Sequence, residues 1–198
     1  MPVSYTNRKG MTYTLYRRQT RTGKPRYYFG RPGQRQDEPV SEIPPGYTIS
    51  ESVNGVVSLA KDHPALIQPE EVAAVEAAVR QHPEAHRYQV AFKNIRIEVY
   101  EQVGPDYNAV VSDLHVPGLS RPGLAEELRA LEERHAHYIP VLRFTLLDPN
   151  QRLFSVERMC YLGSIDGWLE LHGHTGPVAD LAHALIPTLG TEQFYELW

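Results

Sequence analysis

Histidine pairs at H-x-H spacing are the first candidates for chemistry in this chain. Residues i and i+2 of a strand project to one face, so His172 and His174 could chelate a metal there, with Cys160 as a third ligand. However, the chain has no cysteine pair and no H-E-x-x-H motif, and two nearby glycines favour a loop. His135 and His137 are better explained as residues that complement the dipole at a helix end. We therefore predict no metal and no cofactor.

A nucleophile is the second candidate. Ser164 and Asp166 could form a triad with one of the nine histidines. Gly163 directly precedes the serine, however, and Asp166 stands where a G-x-S-x-G elbow has its second glycine. A turn in which both side chains bond the local backbone explains the segment better. A hydrolase or metal enzyme at these two regions is our third hypothesis, and we expect no catalytic residue.

The distribution of charge gives the strongest functional signal. Residues 1–36 contain nine Lys or Arg and no Asp or Glu, whereas the rest of the chain contains 11 Lys or Arg and all 24 Asp or Glu. The whole-chain net charge of −4 hides this asymmetry. A local basic excess of this kind indicates an anionic partner. A second explanation is that the basic arm docks on the acidic remainder or on a second copy of the chain.

The basic residues surround a predicted β-hairpin. Residues 11–16 and 26–29 are rich in strand formers, and Gly23 and Pro25 punctuate the connection between them. With a period of two, Leu15 and Phe29 face the core. The opposite, exposed face is expected to carry Tyr16, Arg18, Arg26 and Tyr28.

This hairpin has the elements of a nucleic-acid surface. Lys and Arg neutralise phosphates and release counterions, and exposed tyrosines can stack on bases. The expected partner is DNA or RNA. The predicted binding residues are Tyr16, Arg17, Arg18, Arg21, Lys24, Arg26, Tyr28 and Arg31.

The remaining pattern predicts an α+β fold, with mainly antiparallel sheets and three to four helices packed on them. Asn54-Gly55 signals a second hairpin, because both residues tolerate positive φ. Residues 1–60 are predicted to form a basic β subdomain, and residues 61–198 an α+β domain that is either separate from the first or continuous with it. Helices are expected at 69–82, 122–135, 178–189 and from 191 to the end, and strands at 88–92, 95–100, 141–147, 153–162 and 168–172.

Two of these strands contain charged residues, which are expected to pair with residues of opposite charge. Arg143 and Glu157 lie on adjacent strands of a predicted hairpin, so we expect an ion pair across the sheet. A ligand-binding cluster is the alternative.

Composition narrows the protein class. The hydrophobic fraction of 41% and charged fraction of 22% are typical of a globular chain, and no apolar run could cross a bilayer. A single cysteine fits a reducing compartment. We therefore expect a cytoplasmic protein without membrane contact.

Several strings in the chain resemble known proteins. Residues 22–29, 43–47, 141–144 and 157–168 together are similar to an uncharacterised family of bacterial proteins of about this length, which implies no specific activity. Locally, the hairpin with its Thr22-Gly23-Lys24 turn resembles the small N-terminal sheet of tyrosine recombinases, which binds DNA. The leading hypothesis is a non-enzymatic nucleic-acid-binding protein. The second is a protein-interaction or homodimerisation module.

Overall fold

Strands dominate the fold. The computed structural model describes residues 1–33, 37–104, 135–162 and 165–197. Over these ranges the chain is α+β but mainly β, since eleven strands accompany three α-helices. The predicted fold class is confirmed at this level. The chain divides into two compact units, residues 1–63 with 103–137 and residues 64–102 with 138–198.

The first unit contains a four-stranded antiparallel sheet. Its strands are β1 (Ser4–Thr6), β2 (Thr12–Gln19), β3 (Pro25–Gly30) and β4 (Glu38–Pro39). Strand β3 pairs along one edge of β2, so β1 and β4 share the other edge, opposite different stretches. Leu15, at the centre of β2, is fully buried. Beyond Arg17, β2 pairs with β3 alone.

The turn between β2 and β3 is fixed by the chain's own hydrogen bonds. The Thr20 amide donates to the Lys24 carbonyl, and the Gly23 amide donates to the Thr20 carbonyl, each at 2.9 Å. Gly23 has a φ of +75°, which glycine adopts without a steric penalty. This is a three-residue hairpin loop with a G1 bulge. The predicted hairpin with a basic tip is therefore confirmed.

A second hairpin belongs to the same unit. Its strands are β5 (Tyr47–Glu51) and β6 (Val57–Lys61). Asn54 and Gly55 both tolerate positive φ, but of the two only Gly55 adopts it, at +77°. The reason is that the connection is another three-residue G1 loop, which needs one left-handed residue rather than two. The Asn7 side-chain amide donates to the Gly55 carbonyl at 2.7 Å and ties this hairpin to the end of β1.

The second unit is built on a five-stranded sheet in the order β11-β10-β9-β8-β7. Its strands are β7 (Tyr88–Lys93), β8 (Arg96–Val103), β9 (His137–Asp148), β10 (Leu153–Leu162) and β11 (Ile165–Gly176). Alternation along β8 places Ile97 and Val99 in the core, fully buried, and Glu98 and Tyr100 on the opposite face. The same core contains Phe144 and further apolar residues of β10 and the helices.

The first helix, α1 (Pro69–Gln81), begins and ends as its sequence predicts. Pro69 occupies the first turn, where its missing N–H costs nothing, and the Gln68 amide donates to the Glu71 carboxylate at 2.8 Å. Val75 and Val79 are buried against the sheet. His82 caps the C-terminus in an extended conformation, because the residue before a proline avoids helical geometry.

The C-terminal segment of the second unit contains α2 (Val178–Leu185) and α3 (Glu192–Tyr195). The helix expected at 178–189, which Pro187 is expected to kink or end, stops at Leu185 and is followed by a 3₁₀ turn over Ile186–Thr188. Gly190, at a φ of +73°, follows it. The helix expected at 122–135 falls outside the described residues, apart from its last position.

Candidate nucleic-acid interface

The hairpin of β2 and β3 ends in a two-stranded projection. Every residue from Arg17 to Arg26 is exposed, whereas Leu15 and Tyr16 just before it are buried. We call residues 17–26 the basic ribbon. It contains Arg17, Arg18, Arg21, Lys24 and Arg26 and no acidic residue.

Four basic side chains of the ribbon have no acidic partner in the described part of the chain. Arg18, Arg21, Lys24 and Arg26 make no ion pair there, in contrast to Arg17, whose guanidinium lies 2.8 Å from the Glu38 carboxylate. That pair is largely solvent-exposed on both sides and contributes little to stability. The charge of the four is therefore available to an anionic ligand.

Arg18 and Arg26 stand directly opposite each other across the ribbon. Like charges at directly paired positions of an antiparallel sheet destabilise it. An anion bound near both guanidinium groups would remove that repulsion. The arrangement is thus electrostatically matched to a phosphate group or another anion.

The predicted exposure of Tyr16 is wrong. Tyr16 is only 7% exposed, and its ring stacks on that of Tyr28 at a centroid distance of 5.8 Å. The Tyr28 hydroxyl donates a hydrogen bond to Asp37, and Tyr28 is half-buried. The alternation of polar and apolar residues along β2 and β3 does not indicate that the segment after β3 returns to cover the face of Tyr16 and Tyr28. The sequence feature that could have indicated this return is the acidic pair Asp37-Glu38, which follows the basic stretch directly and bonds Tyr28 and Arg17.

Other basic residues of the N-terminal segment are held inside the first unit. Arg8 bonds Glu51 through both its backbone amide and its Nε, each at 3.0 Å, and the Lys9 ammonium donates to the Ala136 carbonyl at 2.7 Å. Arg31 is exposed and approaches the Met11 sulfur at 3.4 Å. Internal docking therefore accounts for Arg8, Lys9 and Arg17, but not for the ribbon residues beyond them.

Glu51 is the main acidic anchor of this region. Burial would raise its pKa, but hydrogen bonds from Arg8 and Tyr5, together with the Arg8 charge, lower it below the usual value. The same contact raises the pKa of the Tyr5 hydroxyl, chiefly because that hydroxyl donates to the ionised carboxylate. Glu51 therefore stays charged at neutral pH and fixes β1 to β5.

The histidine candidates do not converge. The expected loop is wrong, because both His172 and His174 lie in β11. His172 is exposed and His174 is half-buried, in a stretch where the register with β10 shifts and Gly173 has a φ of +83°. Cys160 pairs with Gly167, five residues before His172, which is roughly 16 Å along a strand. Within the described residues no three His, Cys, Asp or Glu side chains could hold a metal ion.

The described structure does not bring the other candidate catalytic residues together. Ser164 and the side chain of Asp166 lie outside the described part of the chain. His135 and His137 are both exposed. The hydrolase and metal-enzyme hypotheses therefore have no assembled site among the described side chains.

The predicted ion pair of Arg143 with Glu157 is confirmed. The two residues are directly opposite on β9 and β10, with 3.7 Å between Nη1 and Oε2. Arg143 also donates to Glu98 at 2.7 Å, and its guanidinium lies 3.7 Å from the centre of the Trp168 ring. Burial and a hydrogen bond to Glu98 raise the pKa of the Tyr100 hydroxyl. Because these charges satisfy one another, we assign the cluster a structural role.

Comparison with known proteins adds no assignment. No family model, curated protein or solved structure matches the chain. Both resemblances therefore stay predictions. In the part of the chain that is described, no helix is long and apolar enough to cross a membrane.

Proposed function

We propose that this chain is a cytoplasmic nucleic-acid-binding protein that contacts phosphates through its basic ribbon. One observation supports this above the others. Arg18, Arg21, Lys24 and Arg26 lie on a fully exposed projection and have no acidic partner among the described residues. Lys and Arg on such a projection can displace the counterions of a nucleic acid, and this release drives non-specific binding.

The proposal separates a binding module from a scaffold. The basic β subdomain of residues 1–60 presents the ribbon. The second unit, which comprises residues 64–102 and 138–198 of the predicted α+β domain, contains the main apolar core, between Ile67 and Phe194. We further propose that three to four helices pack on the sheets, and the helix expected at 122–135 lies outside the described residues, apart from its last position. The single cysteine is consistent with a reducing cytoplasm.

Binding residues differ from the predicted set in two respects. The proposal depends on Arg18, Arg21, Lys24 and Arg26, with Arg31 as a further exposed cation. Arg17 contributes less, because Glu38 competes for its guanidinium. Stacking of bases on Tyr16 and Tyr28 is not part of the proposal, because the two rings cover each other.

The test is a binding titration of the full chain against duplex and single-stranded DNA over a salt series. We expect log affinity to fall linearly with log salt, by about 0.9 per phosphate contacted on duplex DNA. The absence of measurable binding to both ligands at about 50 mM salt would refute the proposal, because electrostatic binding is strongest at low ionic strength.

A further inference from the structure

We propose that the basic ribbon binds double-stranded DNA by entering the major groove. This inference rests on the proposed function and specifies the form of nucleic acid it would recognise. Three features of the ribbon support it: the absence of aromatic rings, its dimensions and its built-in rigidity.

The ribbon has no aromatic ring on which an unpaired base could stack. Residues 17–26 include no aromatic residue. Of the nearest rings, Tyr16 and Tyr28 stack on each other, and Tyr27 is half-buried. Proteins that bind single strands usually combine a basic groove with exposed aromatic rings. The ribbon offers charge without rings, which suits a duplex whose bases are already stacked.

The dimensions of the ribbon match the major groove of B-form DNA. That groove is about 12 Å wide and 8.5 Å deep and accepts a two-stranded β-ribbon. From the Arg17–Tyr27 pair to the Gln19–Pro25 pair, the two strands extend by roughly 7 Å, and the turn adds further reach. The major groove of A-form RNA is deep and too narrow for protein side chains to read.

The ribbon is also ordered before it meets a ligand. The Thr20 hydroxyl bonds both the amide and the carbonyl of Lys24, at 3.1 and 3.0 Å, and Gly23 closes the turn. A rigid element loses little conformational entropy on binding. Pro25 and the charged residues on either side discourage the addition of another strand at this edge, which argues against a protein partner that binds by β-augmentation.

The decisive experiment compares three ligands of equal phosphate number at the same salt concentration: duplex DNA, duplex RNA and single-stranded DNA. We expect duplex DNA to bind at least tenfold more tightly than either of the others. Dimethyl sulfate probing at saturating protein should show protection of guanine N7, which lies in the major groove, and not of adenine N3, which lies in the minor groove.

Two variants that carry the same net charge separate the effect of the ribbon's length from the effect of its charge. The first is Arg18→Ala with Arg26→Ala. The second deletes Arg18, Gln19, Pro25 and Arg26, which shortens each strand by two residues and keeps Arg17 opposite Tyr27. We expect the substituted protein to protect guanine N7 once saturated, and the shortened protein to lose that protection.

The outcomes distinguish the two proposals. Equal affinity for the three ligands, or equal N7 protection by the two variants, would overturn groove entry and leave nucleic-acid binding intact. Protection of adenine N3 alone would place the ribbon in the minor groove and also overturn groove entry as stated. No binding to any ligand would overturn both proposals together.

Discussion

Four charges of the ribbon have no acidic partner among the described residues, and removing them should abolish most of the salt dependence of binding. The variant replaces Arg18, Arg21, Lys24 and Arg26 by Ala. If each contacts one phosphate of duplex DNA, the slope of log affinity against log salt should decrease by about 3.6, at about 0.9 per phosphate. Between about 50 and 200 mM salt, the affinity ratio of wild type to variant should then shrink roughly 150-fold.

The fold should tolerate these substitutions. All four residues are exposed, and exposed substitutions usually change the free energy of unfolding by less than about 0.5 kcal/mol each. Loss of the repulsion between Arg18 and Arg26 acts in the stabilising direction. Thermal unfolding should therefore shift by only a few degrees, and circular dichroism should be unchanged.

A matched control variant separates the effect of the ribbon charges from the effect of a change in net charge. Replacing Lys61, Arg80, Lys93 and Arg96 by Ala also removes four exposed positive charges. Fluorescence anisotropy over the salt series should show a near-normal slope for this control. The reasoning fails if the control loses as much slope as the ribbon variant. It also fails if the ribbon variant binds normally but melts far lower, since the arginines would then be structural.

Four further outcomes are expected. Tyr16→Ala should lower the free energy of unfolding measured by urea denaturation by about 3–5 kcal/mol, as for other large buried rings. A variant that stays stable and selectively loses binding to single strands would contradict the burial of Tyr16. Because the pKa of Glu51 lies below its usual value of 4.5, Glu51 stabilises the fold fully above pH 4.5 and progressively less below it. Glu51→Gln should therefore lower stability at pH 7 and flatten the loss of stability as the pH falls below 4.5, and an unchanged acid profile would count against this. Arg143→Ala should lower the free energy of unfolding by about 1–3 kcal/mol, because the half-buried carboxylates of Glu98 and Glu157 lose their cationic partner. An unchanged free energy of unfolding would contradict the structural role of the cluster. Elemental analysis should find no stoichiometric zinc or iron, and one metal per chain that is lost in His172→Ala would revive the enzyme hypothesis.

Local signals in the sequence predicted much of this fold. The hairpin of β2 and β3, the start of α1 and its end at His82 follow from glycine, proline and capping residues that act over four or five positions. The pair of Arg143 with Glu157 follows from the register of a hairpin with a short turn. Each of these features depends on interactions close in sequence, which a single chain displays directly.

Features that depend on distant segments were missed. Alternation sorted Tyr16 to one face of β2 correctly, but it could not show that the chain around Asp37 would return to cover that face. The tight bond from Arg143 to Glu98 joins strands separated by 45 positions. The four exposed ribbon cations were predicted as binding residues, whereas the two tyrosines grouped with them are partly or wholly buried. Burial of an aromatic residue depends on tertiary contacts more than on its neighbours in sequence.

The base of the ribbon is secured by a ring of backbone bonds around Leu15. The Leu15 amide donates to Val3, the Val40 amide donates to Leu15, and the Val3 amide donates to Val40, at 2.8 to 2.9 Å. These contacts come from chain segments on both sides of the hairpin, so they hold whatever residues lie at its tip. The turn at 20–24 is therefore a position where length and side chains can be exchanged without loss of the scaffold. For an engineer, it is a grafting site on which a new recognition loop would be displayed on an unchanged support.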